Sequence, residues 1–413
     1  MSHAPVVVVK NTRSAAGNKV MSLKGFQFSV VEAAIKKPGR RDLALIFSEA
    51  PSVAAAVFTT NKVKAAPVLL STERISSGRA QALVVNSGNA NACTGQQGML
   101  DAVETTRLVA EGLSVDPQLV QVCSTGVIGV PLPMDRIVAA VPALIAGRGT
   151  ATVDDLAAAI MTTDTFPKTA VRTGTVNGVT YTIAGVAKGA GMIMPNMATM
   201  LSFIVTDADI TPELAMTSFR SSVDRSFNAV TIDGDTSTND TCLMLANGAA
   251  GNTCITGGTP EADQFAALLD EVLLELAKQI VKDGEGASKF VEVRITGACS
   301  DADAKRAGLA VANSSLVKTA FFGQDANWGR IFAAVGYSGA ELDQNKLSLW
   351  FDDVCMAHDG VFAGGDAEAR GTAVLKQKEF VVTVDLGVGQ GRATVYTCDL
   401  SHEYVSINAD YRT

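Results

Sequence analysis

Segment 263–282 constrains this chain most, because Phe265, Leu269, Val272, Leu276 and Ile280 recur at intervals of three and four and so share one face of a helix. Gly284 is placed to stop it. A stripe of that length must be buried against another layer. Short β-branched runs at 43–47, 54–60, 82–85 and 119–122, each closed by Asn, Ser or Gly, read as the strands that could supply it. Between the last two a helix is expected, with Met99, Val103, Thr106, Ala110 and Leu113 on one face. Further helices are expected at 154–161, 212–223 and, rich in Ala, 301–320; further strands at 201–205, 290–295, 348–352, 380–385 and 393–397. Segment 174–185 reads as a hairpin turning at Asn177-Gly178. Hairpin turns outnumber strand-helix-strand crossovers, and no linker or repeat divides the chain, so the expected fold is α/β, with mixed, largely antiparallel sheets layered with helices.

The 413 residues carry 34 Lys and Arg against 42 Asp and Glu, a net charge of −8, which argues against a polyanion-binding surface and hence against a nucleic-acid partner. No run approaches the roughly 18 apolar residues of a membrane span, and the start has neither a signal-peptide nor a transit-peptide pattern, so a cytoplasmic protein is expected. Seven cysteines (93, 123, 242, 254, 299, 355 and 398) never fall in a C-x-x-C spacing; buried thiols are expected rather than disulfides or zinc. His3, His358 and His402 are too scattered for a metal site or a serine-type triad. No metal is expected. The spaced glycines Gly387-Val388-Gly389-Gln390-Gly391 precede another β-like run rather than a helix, so a hairpin turn is expected there and not a phosphate cradle.

One segment follows neither helical nor strand period: Lys188-Gly189-Ala190-Gly191-Met192-Ile193-Met194-Pro195-Asn196-Met197-Ala198-Thr199-Met200-Leu201. A buried loop lined by adaptable methionines accounts for it without any chemistry. The alternative uses Ala198-Thr199. A Thr hydroxyl needs a base to act as nucleophile, and cleavage of the preceding peptide bond would supply one, the α-amine of Thr199 itself, with an unperturbed pKa of about 7.7. That reading divides the chain into 1–198 and 199–413 and explains how a histidine-poor sequence could run acyl transfer. Cys123-Ser124-Thr125-Gly126-Val127-Ile128-Gly129, after a strand, combines a hydroxyl with an approachable amide and could hold the tetrahedral oxyanion; a structural turn fits it equally. The polar run from Thr231 through Asp233, Asp235, Asn239 and Asp240 to Thr241 lacks the terminal Glu of a calcium loop and is expected as a strand-turn near the active site.

Segment 188–201 resembles the signature of the ornithine acetyltransferase family, the bacterial ArgJ proteins. Four further stretches agree: Phe58-Thr59-Thr60-Asn61 with Ala65-Ala66-Pro67-Val68; Asn86-Ser87-Gly88-Asn89-Ala90-Asn91-Ala92; Met161-Thr162-Thr163-Asp164-Thr165; and Asp325-Ala326-Asn327-Trp328-Gly329-Arg330, where the family usually has Pro in place of Ala326. The resemblance spans nearly the whole chain. It implies a layered, DmpA-like fold of the self-cleaving N-terminal-nucleophile type, and an enzyme that moves acetyl from N2-acetylornithine to glutamate in arginine biosynthesis. It implies cleavage between Ala198 and Thr199, Thr199 as nucleophile, and Thr125 with Gly126 as oxyanion hole. Thr162, Lys188, Thr199, Glu285, Asn408 and Thr413 match substrate-binding positions, with Thr163 and Thr165 competing for the place of Thr162. No cofactor is implied, although some members use acetyl-CoA as co-substrate; the assembly implied is two alpha and two beta chains. The substrate's charges suggest Lys188 for its α-carboxylate and Glu285 for its δ-ammonium. Two rivals remain at this stage: a self-cleaved threonine amidase or aminopeptidase using water, and an uncleaved binding protein.

Overall fold

The computed structural model describes residues 23–194 and 200–410; His3, Ala198, Thr199 and Thr413 lie outside the described residues. The larger sheet contains β1 (Phe26–Val31), β2 (Leu43–Phe58), β3 (Arg79–Asn86), β4 (Val120–Ser124), β5 (Lys168–Val176), β6 (Val179–Lys188), β7 (Leu201–Thr206) and β8 (Thr241–Ala246). Its order is β4-β3-β2-β8-β7-β6-β5, with β1 on β2; β3–β4 and β7–β8 are parallel and the other pairs antiparallel. The smaller sheet, of β9 (Phe290–Ala298), β10 (Ser348–Phe351), β11 (Val354–His358), β12 (Val361–Phe362), β13 (Glu379–Asp385) and β14 (Gly391–Cys398), runs β12-β11-β10-β13-β9-β14, parallel only at β13–β9.

The expected strands at 43–47 and 54–60 are one strand. Around Glu49-Ala50-Pro51 the register of β2 against β3 shifts, and Pro51 offers no amide to a ladder there. Before the shift β2 pairs with β1 and β3; after it, briefly with β3 at Ser52 and Val53 and then with β8 over Val53–Phe58. This bend folds the sheet over on itself. Ala44, Ile46, Leu83 and Val85 from one half face Val186, Phe203 and Leu243 from the other. Their alternate neighbours point outward: Leu45, Phe47 and Val84 on one side, Ile204, Cys242 and Met244 on the other. The period of two therefore yields two buried faces per half-sheet.

Helices cover both outer faces. α1 (Ala66–Arg74), α2 (Gly95–Leu113) and α3 (Met134–Ala146) lie on the β1–β4 half, and α4 (Val153–Ala159) closes the inner layer. α5 (Pro212–Arg225) and α6 (Pro260–Lys282) lie on the β5–β8 half, where all five residues of the opening stripe are fully buried. Thr259 caps α6 by accepting from the Ala262 amide. α7 (Asp301–Asn313), α8 (Ser315–Gly323), α9 (Trp328–Gly336) and α10 (Ala367–Leu375) cover the smaller sheet, and α11 (His402–Asp410) follows β14. No helix among the described residues is long and apolar enough to cross a membrane.

Four local expectations are corrected. The single helix at 301–320 is broken at Ser314, whose extended backbone and hydroxyl cap α8 on the Val317 amide. In α2, Val103 is exposed and Met99 half-buried, while Ala102, Thr105 and Val109 join the buried face. The 387–391 glycines do not form a hairpin: β13 and β14 flank β9, and the run arches over the end of β9 with the Val388 and Gly389 amides on the Gly297 carbonyl, both at 2.8 Å. Cys123, Cys242 and Cys398 are buried, but Cys93, Cys254 and Cys299, in connecting loops, are exposed, and Cys355, in β11 next to the two-residue edge strand β12, is half-buried. The hairpin at Asn177-Gly178 is present, with both residues at positive φ, 49° and 83°.

Candidate active site

The register Lys188↔Leu201↔Thr241 brings the end of β6 and the starts of β7 and β8 to one edge of their half-sheet. The bend in β2 places the ends of β3 and β4 beside them. Asn239 spans the gap, its Nδ2 donating to the carbonyls of Ala90 at 2.6 Å and Ser124 at 2.8 Å. A cleft opens at this junction, and Thr125, Gly126, Thr162, Thr163, Lys188, Ser237, Asn239, Glu285 and Asn408 all line it. Residues from six separated parts of the sequence thus converge.

Loop 125–129 runs against 88–90, with the Ala90 amide on the Val127 carbonyl at 3.0 Å. Gly126 has φ +137°, and a Cβ there would lie 2.5 Å from the Gly88 carbonyl carbon and 2.6 Å from the Asn89 nitrogen, so no other residue fits this approach. The Thr125 amide is engaged by the Asn86 carbonyl at 3.0 Å, and Thr125, Gly126 and Ile128 of this loop line the cleft.

Lys188 is 2% exposed, and its Nζ donates to Thr162 Oγ1 at 3.0 Å. Burial pushes its pKa down, opposed by the charges of Asp164, Asp240 and Glu285. Asp164 organises the turn beneath: its carboxylate accepts from the amides of Thr162 at 2.9 Å and Gly189 at 2.7 Å and from Lys168 Nζ at 2.7 Å. Burial pushes the Asp164 carboxyl up, but the Lys188 and Lys168 charges and the Gly189 amide prevail and hold it below its usual value. Thr163 also lines the cleft, whereas Thr165 is exposed and bonded through its hydroxyl to Asp283.

Asp283 caps the end of α6 and accepts from Lys168 Nζ at 2.5 Å, which fixes where the next loop leaves the helix. The Glu285 amide then bonds to the Ala190 carbonyl at 2.7 Å, and Glu285 Oε2 accepts from Asn408 Nδ2 of α11 at 2.9 Å. The polar run 231–241 lies near the cleft as expected: Asp233 accepts from the amides of Met192 at 2.5 Å and Ile193 at 2.8 Å, and Asp240 from the Met200 amide at 3.0 Å. The cleft can hold an anionic group at Lys188 and a cationic one at Glu285. No group of His, Cys, Asp and Glu among the described residues is arranged to hold a metal ion. Sequence reasoning missed Asp164, Lys168, Asp283 and the individual roles of Asp233 and Asp240; only the Met161–Thr165 and 231–241 motifs pointed to their neighbourhood.

The family model described as ArgJ family matches residues 27–413. The chain belongs to the ArgJ family. The arginine biosynthesis bifunctional protein ArgJ of Geobacter sulfurreducens is 70% identical over 393 residues, covering 95% of this chain and 100% of that protein. That of Syntrophotalea carbinolica is 54% identical over 394 residues, again 95% and 100%. The crystal structure of arginine biosynthesis bifunctional protein ArgJ from Bacillus halodurans, 40% identical with a TM-score of 0.50, covers 52% of this chain and 100% of its own. Ala326 is buried in the core of the smaller sheet and does not line the cleft.

Proposed function

We propose that this chain is a self-cleaving acyltransferase of arginine biosynthesis, moving acetyl from N2-acetyl-L-ornithine to L-glutamate. The convergence of Thr125, Gly126, Thr162, Lys188, Glu285 and Asn408 on one cleft carries the reading. Thr199, freed by cleavage after Ala198, attacks the acetyl carbonyl with its hydroxyl deprotonated by its own amine. The oxyanion rests on the Thr125 hydroxyl and the Gly126 amide, ornithine departs, and glutamate takes the acetyl from the threonine ester in a ping-pong cycle. Lys188 and Thr162 take the α-carboxylate, Glu285 and Asn408 the δ-ammonium, and Thr413 completes the substrate contacts. The cycle calls on no cofactor. Acetyl-CoA is a second acetyl donor for the same threonine.

Chain lengths support the cut. The Geobacter protein is matched end to end by 95% of this chain, whereas the Bacillus halodurans crystal chain is matched end to end by 52% of it. Cleavage would give pieces of 198 and 215 residues. The β6–β7 and β2–β8 pairings join residues on either side of the junction, so both pieces remain in one fold. The assembly proposed is two alpha and two beta chains, in the cytoplasm.

Intact mass spectrometry of the wild type beside Thr199→Ala, with an acetylornithine-plus-glutamate assay on both, tests the reading. Two chains and transfer in the wild type, with one inactive chain in the variant, are expected. A wild type that stays whole removes the central claim. Deacetylation that glutamate does not accelerate would make the protein a hydrolase.

A further inference from the structure

Two glycines flank Ala190 on the wall of the cleft, and they are glycines for different reasons. Gly189 has φ +150°, a backbone conformation that favours glycine. Gly191 lies outside that range, so its own backbone would accept an alanine. What a side chain at 191 would meet is one group. The three atoms nearest the position of a Cβ there all belong to the Glu285 carboxylate: Cδ at 2.5 Å, Oε1 at 2.7 Å and Oε2 closer still. The carboxylate lies against Gly191 where a side chain would otherwise be.

Neither main chain is free to step aside. The Glu285 amide is bonded to the Ala190 carbonyl at 2.7 Å, and the two amides after Gly191, those of Met192 and Ile193, are held by the Asp233 carboxylate at 2.5 and 2.8 Å. Beyond Glu285 the chain turns at Gly286, with φ +69°, so close to α11 that a Cβ there would lie 2.5 Å from the Tyr404 nitrogen. A methyl group at 191 must therefore be relieved by rotation of the Glu285 side chain. Non-bonded carbon atoms rest about 3.5–4.0 Å apart, so Cδ has to move by about 1 Å or more. That movement takes Oε2 off Asn408 Nδ2, which holds it at 2.9 Å. A misplacement of about 1 Å can cost about 10²-fold in rate.

We propose that Gly191 is a specificity-determining residue for the cationic end of the cleft, an inference that rests on the reading above in which Glu285 receives the substrate's ammonium. The missing side chain at 191 seats the carboxylate where Asn408 orients it, and with it the preference for an acyl amino acid whose side chain ends in a cation. A larger residue at 191 displaces that negative charge, and the discrimination is lost with it. The other end of the cleft, where Lys188 Nζ donates to Thr162 Oγ1 at 3.0 Å, makes no use of this seat. Asp233 acts as a positioning residue, since it pins the wall that carries Gly191.

Wild type, Gly191→Ala, Glu285→Ala and the double variant, each assayed with glutamate and either N2-acetylornithine or N2-acetylnorvaline, test this; acetylnorvaline has the same carbon chain without the terminal amine. A hydrogen bond to a charged group is worth about 10- to 100-fold, so in Gly191→Ala kcat/KM should fall by that factor more for acetylornithine than for acetylnorvaline, with most of the loss in KM. Added to Glu285→Ala, which has no carboxylate to displace, Gly191→Ala should change kcat/KM for acetylornithine by less than about threefold, because the two substitutions act on one contact. If Gly191→Ala alone lacks the wild-type circular dichroism and unfolding transition, the same pair still decides: a double variant that folds like Glu285→Ala supports a clash at the carboxylate, and one that does not overturns the assignment. A Gly191→Ala protein that loses both substrates alike, or whose loss persists in full without Glu285, also overturns it. A wild type with no preference for acetylornithine fails the ammonium reading first, and this inference falls with it; a wild-type preference that survives in Gly191→Ala removes only the role of Gly191.

Discussion

Asn408 Nδ2 donates to Glu285 Oε2 at 2.9 Å, joining α11 to the loop after α6 across 123 positions of sequence. One carboxylate oxygen is thereby engaged and oriented, and the group faces the cleft with its other oxygen available to a cation. A hydrogen bond to a charged group is worth about 1.5–3 kcal/mol, so Glu285→Gln should raise KM for acetylornithine about 10- to 100-fold. Chain cleavage should proceed as in the wild type. Steady-state kinetics with intact mass measurement checks both; an unchanged KM would remove Glu285 from the ammonium site.

Lys188 gives a pH signature. Burial lowers its pKa, so its attraction for a carboxylate is complete below that lowered value and is lost as pH rises through it. The alkaline fall in kcat/KM should therefore begin below the ordinary lysine value of about 10.4. Lys188→Arg keeps its charge to far higher pH, and its alkaline fall should move upward. Coincident limbs in the two proteins would mean that another group titrates.

Gly126 couples backbone geometry to catalysis. With φ at +137° and the Gly88 carbonyl carbon 2.5 Å from where a Cβ would sit, Gly126→Ala must push loop 125–129 away from 88–90. Losing one oxyanion donor typically costs about 10²–10³ in rate, so kcat should fall by that order while KM changes little. The melting temperature should also fall. A variant with wild-type kcat would show that the Gly126 amide does not face the reacting oxygen.

The sequence was legible where the signal is local. The α6 stripe from Phe265 to Ile280 and the Asn177-Gly178 hairpin follow from spacing and turn chemistry alone, and both are present. The bend in β2 was not, because Glu49-Ala50-Pro51 looks like the end of a strand, and only pairing with β8 shows that the strand continues. For the cleft, Lys188 and Glu285 were marked by resemblance and by the substrate's charges. The individual roles of Asp164, Lys168, Asp240 and Asp283 were not legible, because a carboxylate or ammonium reads as surface until a fold buries it, and these four are buried by residues distant in sequence.

That buried set gives a stability prediction. Lys168 Nζ is fully buried between Asp164 Oδ1 at 2.7 Å and Asp283 Oδ2 at 2.5 Å. Removing one partner of a buried ion pair costs about 3–5 kcal/mol, and Lys168→Met leaves both carboxylates without their shared cation. Urea unfolding at neutral pH should show a loss of that size, and KM should rise because Asp164 and Asp283 position Thr162, Gly189 and the Glu285 loop. The pH dependence has a definite sign. The Asp164 carboxyl is held below its usual range in the folded protein, so its contribution is present above the unfolded value of about 3.9 and is lost as pH falls through the folded one. In Lys168→Met one of the charges that lowers it is gone, so acid unfolding should begin at higher pH than in the wild type. A variant as stable as the wild type at neutral pH, with the same acid midpoint, would show that Lys168 does not hold these two carboxylates in place.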